Sequence, residues 1–281
     1  MLVIKTPLRI SGILMRKRRE GESIGFVPTM GALHEGHLSL IRAARKENNI
    51  VVVSIFVNAI QFGPKEDLDR YPRPLSKDLA LCRRERVDFV FFPKPFYIYP
   101  RDFSTYIEVK DLSERLCGKS RPSHFRGVAT IVAKLFNIIG PDNLYLGAKD
   151  AQQAVVIKRM ATDLNMPVKI KVMPTVREVD GLALSSRNLY LNSNERQDAL
   201  ILSQALNLAK LFIKNGARDT KRIIGRMRRI IKNKKSAKID YIKIVDSDNL
   251  KPLDKILSNC LIVLAVYIGK IRLIDNVSIK V

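Results

Sequence analysis

A buried strand, a turn with two glycines and a helix follow one another near the start of the chain. Residues 24–27 are apolar, and apolar residues at helical spacing then predict an amphipathic helix over about 37–47. Residues 50–57 form a second apolar run rich in valine and isoleucine, which is typical of a parallel strand covered on both faces. This order predicts a right-handed β-α-β unit that binds ligands at the carboxyl ends of its strands.

Two histidines, His34 and His37, lie where this helix is predicted to begin. A helix N-terminus presents unpaired backbone N–H groups and the positive end of the helix dipole, so it binds anions. The pattern favours a nucleotide phosphate site in which imidazoles stabilise charge on a transferring phosphoryl group. Taken alone, the H-x-x-H spacing favours a helix cap beside a surface residue over a phosphate site.

Metal binding is another chemistry that H-x-x-H spacing suggests. Zinc sites usually need further Cys or His ligands, and the remaining histidine is His124. We therefore expect no metal site made by protein side chains.

The three cysteines are widely spaced and odd in number, which argues against a disulfide framework and for a reducing compartment. The cysteines are Cys82, Cys117 and Cys260.

Composition indicates a soluble globular protein. The chain has 281 residues, enough for one large domain or two ordinary ones, and 46% of them are hydrophobic. No apolar run approaches the roughly 18 residues that span a bilayer, and residues 1–6 are predicted as a strand rather than a signal peptide. We expect a cytoplasmic protein with no membrane partner.

The formal net charge of +23 raises the question of a nucleic-acid partner. The basic residues are dispersed over several predicted helices, aromatic residues make up 7%, and no RNA-binding motif with interleaved aromatics occurs. We expect solvated surface charge and no specific nucleic acid. A basic RNA-binding module related to aminoacyl-tRNA synthetase cores is the alternative, and the lack of an anticodon-reading extension argues against it.

The segment P-T-M-G-A-L-H-E-G-H at residues 28–37 resembles the signature of the pantothenate synthetase (pantoate–beta-alanine ligase) family. This family is part of the H-x-G-H nucleotidylyltransferase superfamily, and H-x-G-H alone would indicate only the superfamily. Further similar segments follow in order over nearly the whole chain. They are residues 56–58, 61–63, 70–73, 121–127, 149–150, 152–153 and 180–188.

The resemblance implies ATP-dependent amide synthesis in two stages, through a pantoyl adenylate and then attack by beta-alanine. It also implies Mg²⁺ bound with the nucleotide, and a homodimer. The nearest alternative is another H-x-G-H nucleotidylyltransferase with a phosphate-bearing acceptor. Neutral contacts at Gln61 and Gln153, rather than arginines, argue instead for an acceptor with a carboxylate and a hydroxyl group.

The resemblance also implies site residues. His37, His34 and Lys149 are the expected catalytic residues, Gln61 and Gln153 contact pantoate, and Gln61 also contacts beta-alanine. The expected ATP contacts are Met30, Gly31, Ala32, Leu33, His34, Glu35, Gly36, His37, Gly147, Ala148, Lys149, Asp150, Val176, Leu184, Ser185, Ser186 and Arg187. The chain departs from the family at Ala59, Ala148 and Ala151, where Pro, Glu and an aromatic residue are common.

Other polar residues lie near these positions. Asn58 follows the second predicted strand, where an amide can hydrogen-bond a small substrate. Arg121, His124 and Arg126 bring three donors close to a helix predicted from Gly127, which suits either an anion or a surface cap.

The pattern changes after residue 193. Helices over about 194–215 and 220–232 precede three short strands, which predicts a smaller α+β domain. The fold class is therefore α/β, with a Rossmann-like parallel-sheet nucleotidylyltransferase domain over residues 1–175 and an α+β domain over 176–281. We expect the second domain to carry Ser185, Ser186 and Arg187 as a flexible clamp that closes over the triphosphate.

Overall fold

A computed structural model of the chain describes residues 1–64 and 66–280. Its internal contacts divide the chain into two units, and each unit combines segments that are distant in sequence. The first contains Met1–Glu114, Gly118–Gly147 and Val156–Pro174, and the second contains Arg115–Cys117, Ala148–Val155 and Thr175–Val281.

A six-stranded sheet lies at the centre of the first unit, and every strand pair in it is parallel. Continuous apolar runs form the inner strands because both faces of a parallel sheet are covered. The strands are β1 (Leu2–Ile4), β2 (Ile24–Thr29), β3 (Ile50–Ile55), β4 (Phe89–Phe91), β5 (Asn143–Gly147) and β6 (Lys169–Met173), in the spatial order β1-β4-β3-β2-β5-β6.

In the described part of the chain, seven α-helices connect or follow these strands. The predicted helix after the two-glycine turn begins at Glu35, and the one predicted from Gly127 begins a turn earlier, at His124. The helices are α1 (Pro7–Arg19), α2 (Glu35–Glu47), α3 (Leu75–Arg84), α4 (Pro95–Ile98), α5 (Cys117–Ser120), α6 (His124–Ile139) and α7 (Ala151–Asp163).

Strand β2 is the point at which the strand order changes direction. It pairs with β3 on one side, from Ile24 opposite Ile50 to Thr29 opposite Ile55, and with β5 on the other. In open α/β sheets ligands bind at the carboxyl ends of the strands at such a point. The residues after Thr29 are therefore placed where a ligand site is expected.

The described residues of the second unit include three further helices and an antiparallel sheet of three strands in the order β7-β8-β9. The single helix predicted over 194–215 is wrong, because two helices meet at Leu200, which nevertheless keeps helical dihedral angles. The elements are α8 (Ser193–Ala199), α9 (Ile201–Lys214), α10 (Thr220–Lys232), β7 (Ala237–Asp246), β8 (Cys260–Ile268) and β9 (Ile271–Ile279).

Each unit has its own apolar core. Val27, Ile41 and Val53 are fully buried in the first, and Met227 and Leu264 are fully buried in the second. The predicted combination of a parallel α/β fold with a smaller α+β part is confirmed. Within the described residues, no helix is long and apolar enough to cross a membrane.

Candidate functional site

The turn between β2 and α2 has an unusual backbone. Gly31 (φ +81°) and Ala32 (φ 51°) are both in the left-handed region. Glycine is favoured at the first position by this φ, and a Cβ there would lie 2.9 Å from Asp78 Oδ2, which would have to move. The side chain of Thr29 fixes the start of the turn, since its hydroxyl accepts a hydrogen bond from the Gly31 N–H at 3.1 Å and donates to the Ser54 carbonyl at 2.7 Å.

Asp78, on α3, holds the middle of the same turn. Its carboxylate accepts hydrogen bonds from the N–H groups of Ala32, at 2.9 Å, and Leu33, at 2.8 Å. Burial raises the pKa of this carboxyl above its ordinary value, and the two backbone hydrogen bonds act in the opposite direction. Sequence reasoning missed Asp78 because its partner residues are more than forty positions away.

His34 and His37 form a reciprocal cap at the start of α2. The Nδ1 atom of His34 accepts from the Gly36 N–H at 3.2 Å, and the Nδ1 atom of His37 accepts from the His34 N–H at 3.3 Å. The ring centroids are 4.1 Å apart. Because each Nδ1 is an acceptor, the proton of each neutral ring is on Nε2. Both imidazoles are therefore in the tautomer that donates from the tip of the side chain.

Gln61 ends a short 3-10 helix, Ala59–Gln61, that follows β3. Its side chain lies beside the β2–α2 turn, since Nε2 is 3.2 Å from the Met30 sulfur. Asn58 Nδ2 donates to Gln61 Oε1 at 2.9 Å and to the Gly127 carbonyl at 3.1 Å, and Asn58 Oδ1 accepts from the Tyr99 hydroxyl. Asn58 is buried. Its amide therefore supports Gln61 from within the protein.

Residues near the start of α6 hold the Gln61 backbone. His124 Nδ1 lies 2.9 Å from the Gln61 carbonyl oxygen. The Arg121 guanidinium contacts the His124 ring and forms an ion pair with the Glu66 carboxylate. Gly127 packs so closely that a Cβ there would lie 2.7 Å from the Gln61 Cα. Arg121 and His124, predicted as anion donors or caps, thus contact Gln61 and Glu66.

The third predicted donor at this helix has a different neighbour. The Arg126 guanidinium lies over the Tyr106 ring, 4.8 Å from its centroid. This is a cation–π contact within the first unit.

Lys149 lies in the second unit, on a 3-10 helix of residues Ala148–Asp150 that directly follows β5. Its ammonium nitrogen is 3.7 Å from Asp150 Oδ1. The backbone carbonyls of Ala148 and Lys149 both accept hydrogen bonds from the Asn276 side chain, at 2.9 and 2.8 Å. Sequence spacing gave no signal for Asn276, which is on β9.

The two glutamines that follow occupy different environments. Gln152 is buried, accepts a hydrogen bond from the Cys117 N–H at 3.0 Å and donates to the Arg115 carbonyl at 2.7 Å. Gln153, the predicted pantoate contact, is half-buried. These two neighbouring residues of the same type therefore differ in burial.

A hairpin precedes the Ser185–Ser186–Arg187 segment. The Leu184 N–H donates to the Val176 carbonyl at 3.1 Å, and Arg177 forms an isolated bridge with Ala183. The predicted clamp residues then begin a 3-10 helix, Ser186–Tyr190, in which the Ser185 hydroxyl accepts from the Arg187 N–H at 3.3 Å. Hydrogen bonds thus hold the backbone conformation of the hairpin and of the start of the 3-10 helix that contains Ser186 and Arg187.

The three departures from the family pattern lie in or beside these segments. Ala59 is the first residue of the 3-10 helix that ends at Gln61, and it is exposed. Ala148 and Ala151 flank Lys149 and Asp150, and both are half-buried. The hydrogen bonds that hold these segments use backbone carbonyls and the side chains of Asn58, Gln61 and Asn276.

Comparison with known proteins identifies one family. A sequence model described as "Pantoate-beta-alanine ligase" matches residues 2–278. The pantothenate synthetase of Sulfurihydrogenibium sp. is 54% identical over 278 residues, with 99% of each chain covered. That of Caldicellulosiruptor bescii is 51% identical over 280 residues, which cover 100% of this chain and 99% of the relative.

Solved structures give the same result. The crystal structure of pantothenate synthetase from Thermus thermophilus matches with a TM-score of 0.94 at 41% identity and covers 99% of each chain. Pantoate-beta-alanine ligase from Francisella tularensis, described as complexed with beta-gamma ATP and beta-alanine, matches with a TM-score of 0.80 at 38% identity. That match covers 99% of this chain and 97% of the other.

Proposed function

The chain belongs to the pantoate–beta-alanine ligase family, and on that premise we propose that it joins pantoate to beta-alanine through a pantoyl adenylate. The pantoate carboxylate attacks the α-phosphorus of ATP, and pyrophosphate leaves. The amine of beta-alanine then attacks the acyl carbon of the adenylate, AMP leaves, and pantothenate is released. ATP is consumed because a carboxylate is by itself a poor electrophile.

In the first unit, we assign the phosphates to the β2–α2 turn. Backbone N–H groups at the start of α2 and the positive end of its dipole favour an anion, and His34 and His37 add donors of the Nε2–H type. His37 is the strongest candidate for a hydrogen bond or a proton to the charge that develops as pyrophosphate leaves. The remaining proposed contacts in this turn are Met30, Gly31, Ala32, Leu33, Glu35 and Gly36.

In the second unit, we assign Lys149, Ser186 and Arg187 to the triphosphate. Lysine supplies a compact charge, whereas arginine supplies a planar fork of donors that suits phosphate oxygens. Val176 is assigned to the adenine. The other proposed ATP contacts are Gly147, at the end of β5, and Ala148, Asp150, Leu184 and Ser185.

Pantoate binding is assigned to Gln61 and Gln153, and Gln61 also contacts beta-alanine. A neutral amide can hydrogen-bond both a hydroxyl group and a carboxylate, which are the groups that pantoate offers. The Gln61 side chain is oriented by Asn58 and lies against Met30. Pre-orientation of this kind lowers the entropic cost of placing the attacking carboxylate.

Mg²⁺ is proposed to bind together with ATP. Among the described residues, no group of three His, Cys, Asp or Glu side chains could hold a metal ion. Mg²⁺ usually takes one or two carboxylates and completes its shell with phosphate oxygens and water. We therefore assign most of its ligands to the nucleotide and water, where the cation offsets phosphate charge.

The observation that carries this proposal is the family match over residues 2–278. Pyrophosphate release from ATP and Mg²⁺ tests it, with AMP followed in parallel. Pantoate alone should give a burst stoichiometric with protein, and added beta-alanine should convert the burst into turnover with AMP. If the folded protein binds ATP but neither addition changes pyrophosphate release, the proposed reaction is wrong.

We further propose that the protein is a cytoplasmic homodimer, as the family resemblance implies. Sedimentation equilibrium should give about twice the chain mass of 31.9 kDa. A mass that stays at one chain across the accessible concentrations would overturn the dimer.

A further inference from the structure

Two consecutive polar residues are buried on β9, an edge strand of the antiparallel sheet in the second unit. Asp275 is 2% exposed and Asn276 is 7% exposed. Burial of a carboxylate or an amide costs free energy unless the group is hydrogen-bonded. The partners of these two side chains therefore indicate their role.

Asn276 holds the segment that carries Lys149. Its Nδ2 atom donates to the carbonyl oxygens of Ala148, at 2.9 Å, and Lys149, at 2.8 Å. Both carbonyls belong to the short 3-10 helix after β5. One amide thus fixes two successive peptide groups at the point from which the Lys149 side chain extends.

Asp275 holds the hairpin that leads to Ser185. Its two carboxylate oxygens accept from the two terminal nitrogens of Arg177, at 2.7 and 2.9 Å. The same guanidinium donates to the Gly181 carbonyl at 3.0 Å, across the turn of the hairpin. A bidentate pair of this kind fixes orientation as well as distance.

We propose that Asp275 and Asn276 are positioning residues for the triphosphate of ATP. As neighbours on one strand, they fix the backbones of two separate segments, so that Lys149 and the pair Ser186 and Arg187 are held in a constant relation within the second unit. This inference rests on the proposed function, because it takes those three residues as phosphate contacts. Asp275 and Asn276 act through them and do not touch substrate.

Asn276→Asp is the first test, because it keeps the shape of the side chain but removes both N–H donors and places an oxygen against two carbonyls. The KM for ATP should rise about tenfold, because the Lys149 segment is then no longer held in the position that suits the phosphates. The KM for pantoate should stay within about twofold. Asp275→Asn and Arg177→Lys, which weaken the bidentate pair, should shift the KM for ATP in the same direction.

Val266→Ala is the matched control. Val266 is fully buried on β8, the neighbouring strand, so its truncation should lower the melting temperature through lost packing. It should leave the KM for ATP unchanged. If Val266→Ala raises the KM for ATP as much as Asn276→Asp does, the effect is general destabilisation of the sheet and the positioning role is overturned.

Calorimetric binding separates this inference from the proposed reaction. A non-hydrolysable ATP analogue should bind the Asn276→Asp protein about tenfold more weakly, while AMP should lose less affinity, because it lacks two of the three phosphates to which the affected residues are assigned. An unchanged affinity for the analogue overturns the positioning role, even if the wild-type protein shows no pantoate-dependent pyrophosphate release. If Asn276→Asp does not fold, Arg177→Lys gives the same comparison.

Discussion

At the residue scale, backbone N–H groups determine what the two histidines of the β2–α2 turn can donate. Each Nδ1 atom accepts one such group, which leaves the proton of the neutral ring on Nε2. Replacement of either ring therefore removes a donor and also part of the cap at the start of α2. A functional test has to separate these two effects.

His37→Ala should reduce the rate of pyrophosphate release in a single turnover by about 10²–10³-fold, the usual effect of losing one donor to a developing charge. The cost to stability should be that of a lost cap, about 1 kcal/mol. Stopped-flow detection of pyrophosphate and urea unfolding measure the two quantities. Lys46→Ala, at the exposed end of the same helix, should change neither of them. A loss of activity that merely parallels the loss of folded protein would contradict a catalytic role for His37.

Gln152 and Gln153 provide a comparison of adjacent residues. Gln153→Ala should raise the KM for pantoate about tenfold and leave stability nearly unchanged, because we assign its amide to the substrate. Gln152→Ala should instead destabilise the protein by about 1–3 kcal/mol, because the Cys117 N–H and the Arg115 carbonyl lose their buried partner. Steady-state kinetics and urea unfolding of both variants measure this. If Gln152→Ala raised the KM for pantoate and Gln153→Ala lowered stability, the two assignments would be wrong.

At the scale of elements, the turn after β2 depends on a helix that is distant in sequence. Asp78 on α3 satisfies two buried N–H groups of that turn. The α3 helix therefore contributes to the conformation of the proposed phosphate site even though it provides no proposed substrate contact.

Asp78→Ala should lower the free energy of unfolding by about 2 kcal/mol, since it leaves the Ala32 and Leu33 N–H groups without their acceptor. It should also raise the KM for ATP, because the turn is no longer held in its left-handed conformation. Asp78→Asn, which keeps one acceptor oxygen, should fall between the wild type and Asp78→Ala in both measurements. An unchanged KM for ATP in Asp78→Ala would show that the turn keeps its shape without the carboxylate.

At the scale of the whole molecule, a chain with a net charge of +23 has few carboxylates for its many cations. Hydrogen bonds and charge from Arg42 lower the pKa of Glu85, and a hydrogen bond from Ser236 lowers the pKa of Asp198. Burial alone would raise the pKa of Glu66, but Arg121 outweighs it and the pKa is lowered. Asp78 has a raised pKa, so its contribution to the pH dependence of stability has the opposite sign.

Stability should therefore fall on acidification. A carboxyl group with a lowered folded-state pKa stabilises the protein above its unfolded pKa, about 4, and that stabilisation is lost as the pH falls through the folded-state value. Urea unfolding between pH 6 and pH 3 should show this decline, and Glu66→Gln should make it shallower. Glu20→Gln, which alters an exposed pair on the surface with Lys17, should leave the profile unchanged. A Glu66→Gln profile parallel to that of the wild type would contradict the role of the Arg121 pair.

Much of the element order follows from local sequence patterns. The apolar runs at 24–27 and 50–57 predict β2 and β3, and the periodicity at 37–47 predicts α2. Strands buried on both faces are continuously apolar, and a helix packed on the sheet has apolar residues at helical spacing. The helix predicted over 194–215 is wrong at Leu200, where no glycine or proline marks the division. The boundary near residue 175 and the individual site residues remain predictions.

The sequence by itself determined the family, the β-α-β unit and the segments that carry the proposed chemistry, because these depend on local order, periodicity and motifs. Tertiary structure decided which distant side chains hold those segments in place: Asp78 on the β2–α2 turn, and Asp275 and Asn276 on the two segments of the second unit. The physical reason is that a buried carboxylate or amide must find a partner wherever the fold brings one near. Such pairs join residues up to 128 positions apart, and no local pattern records them.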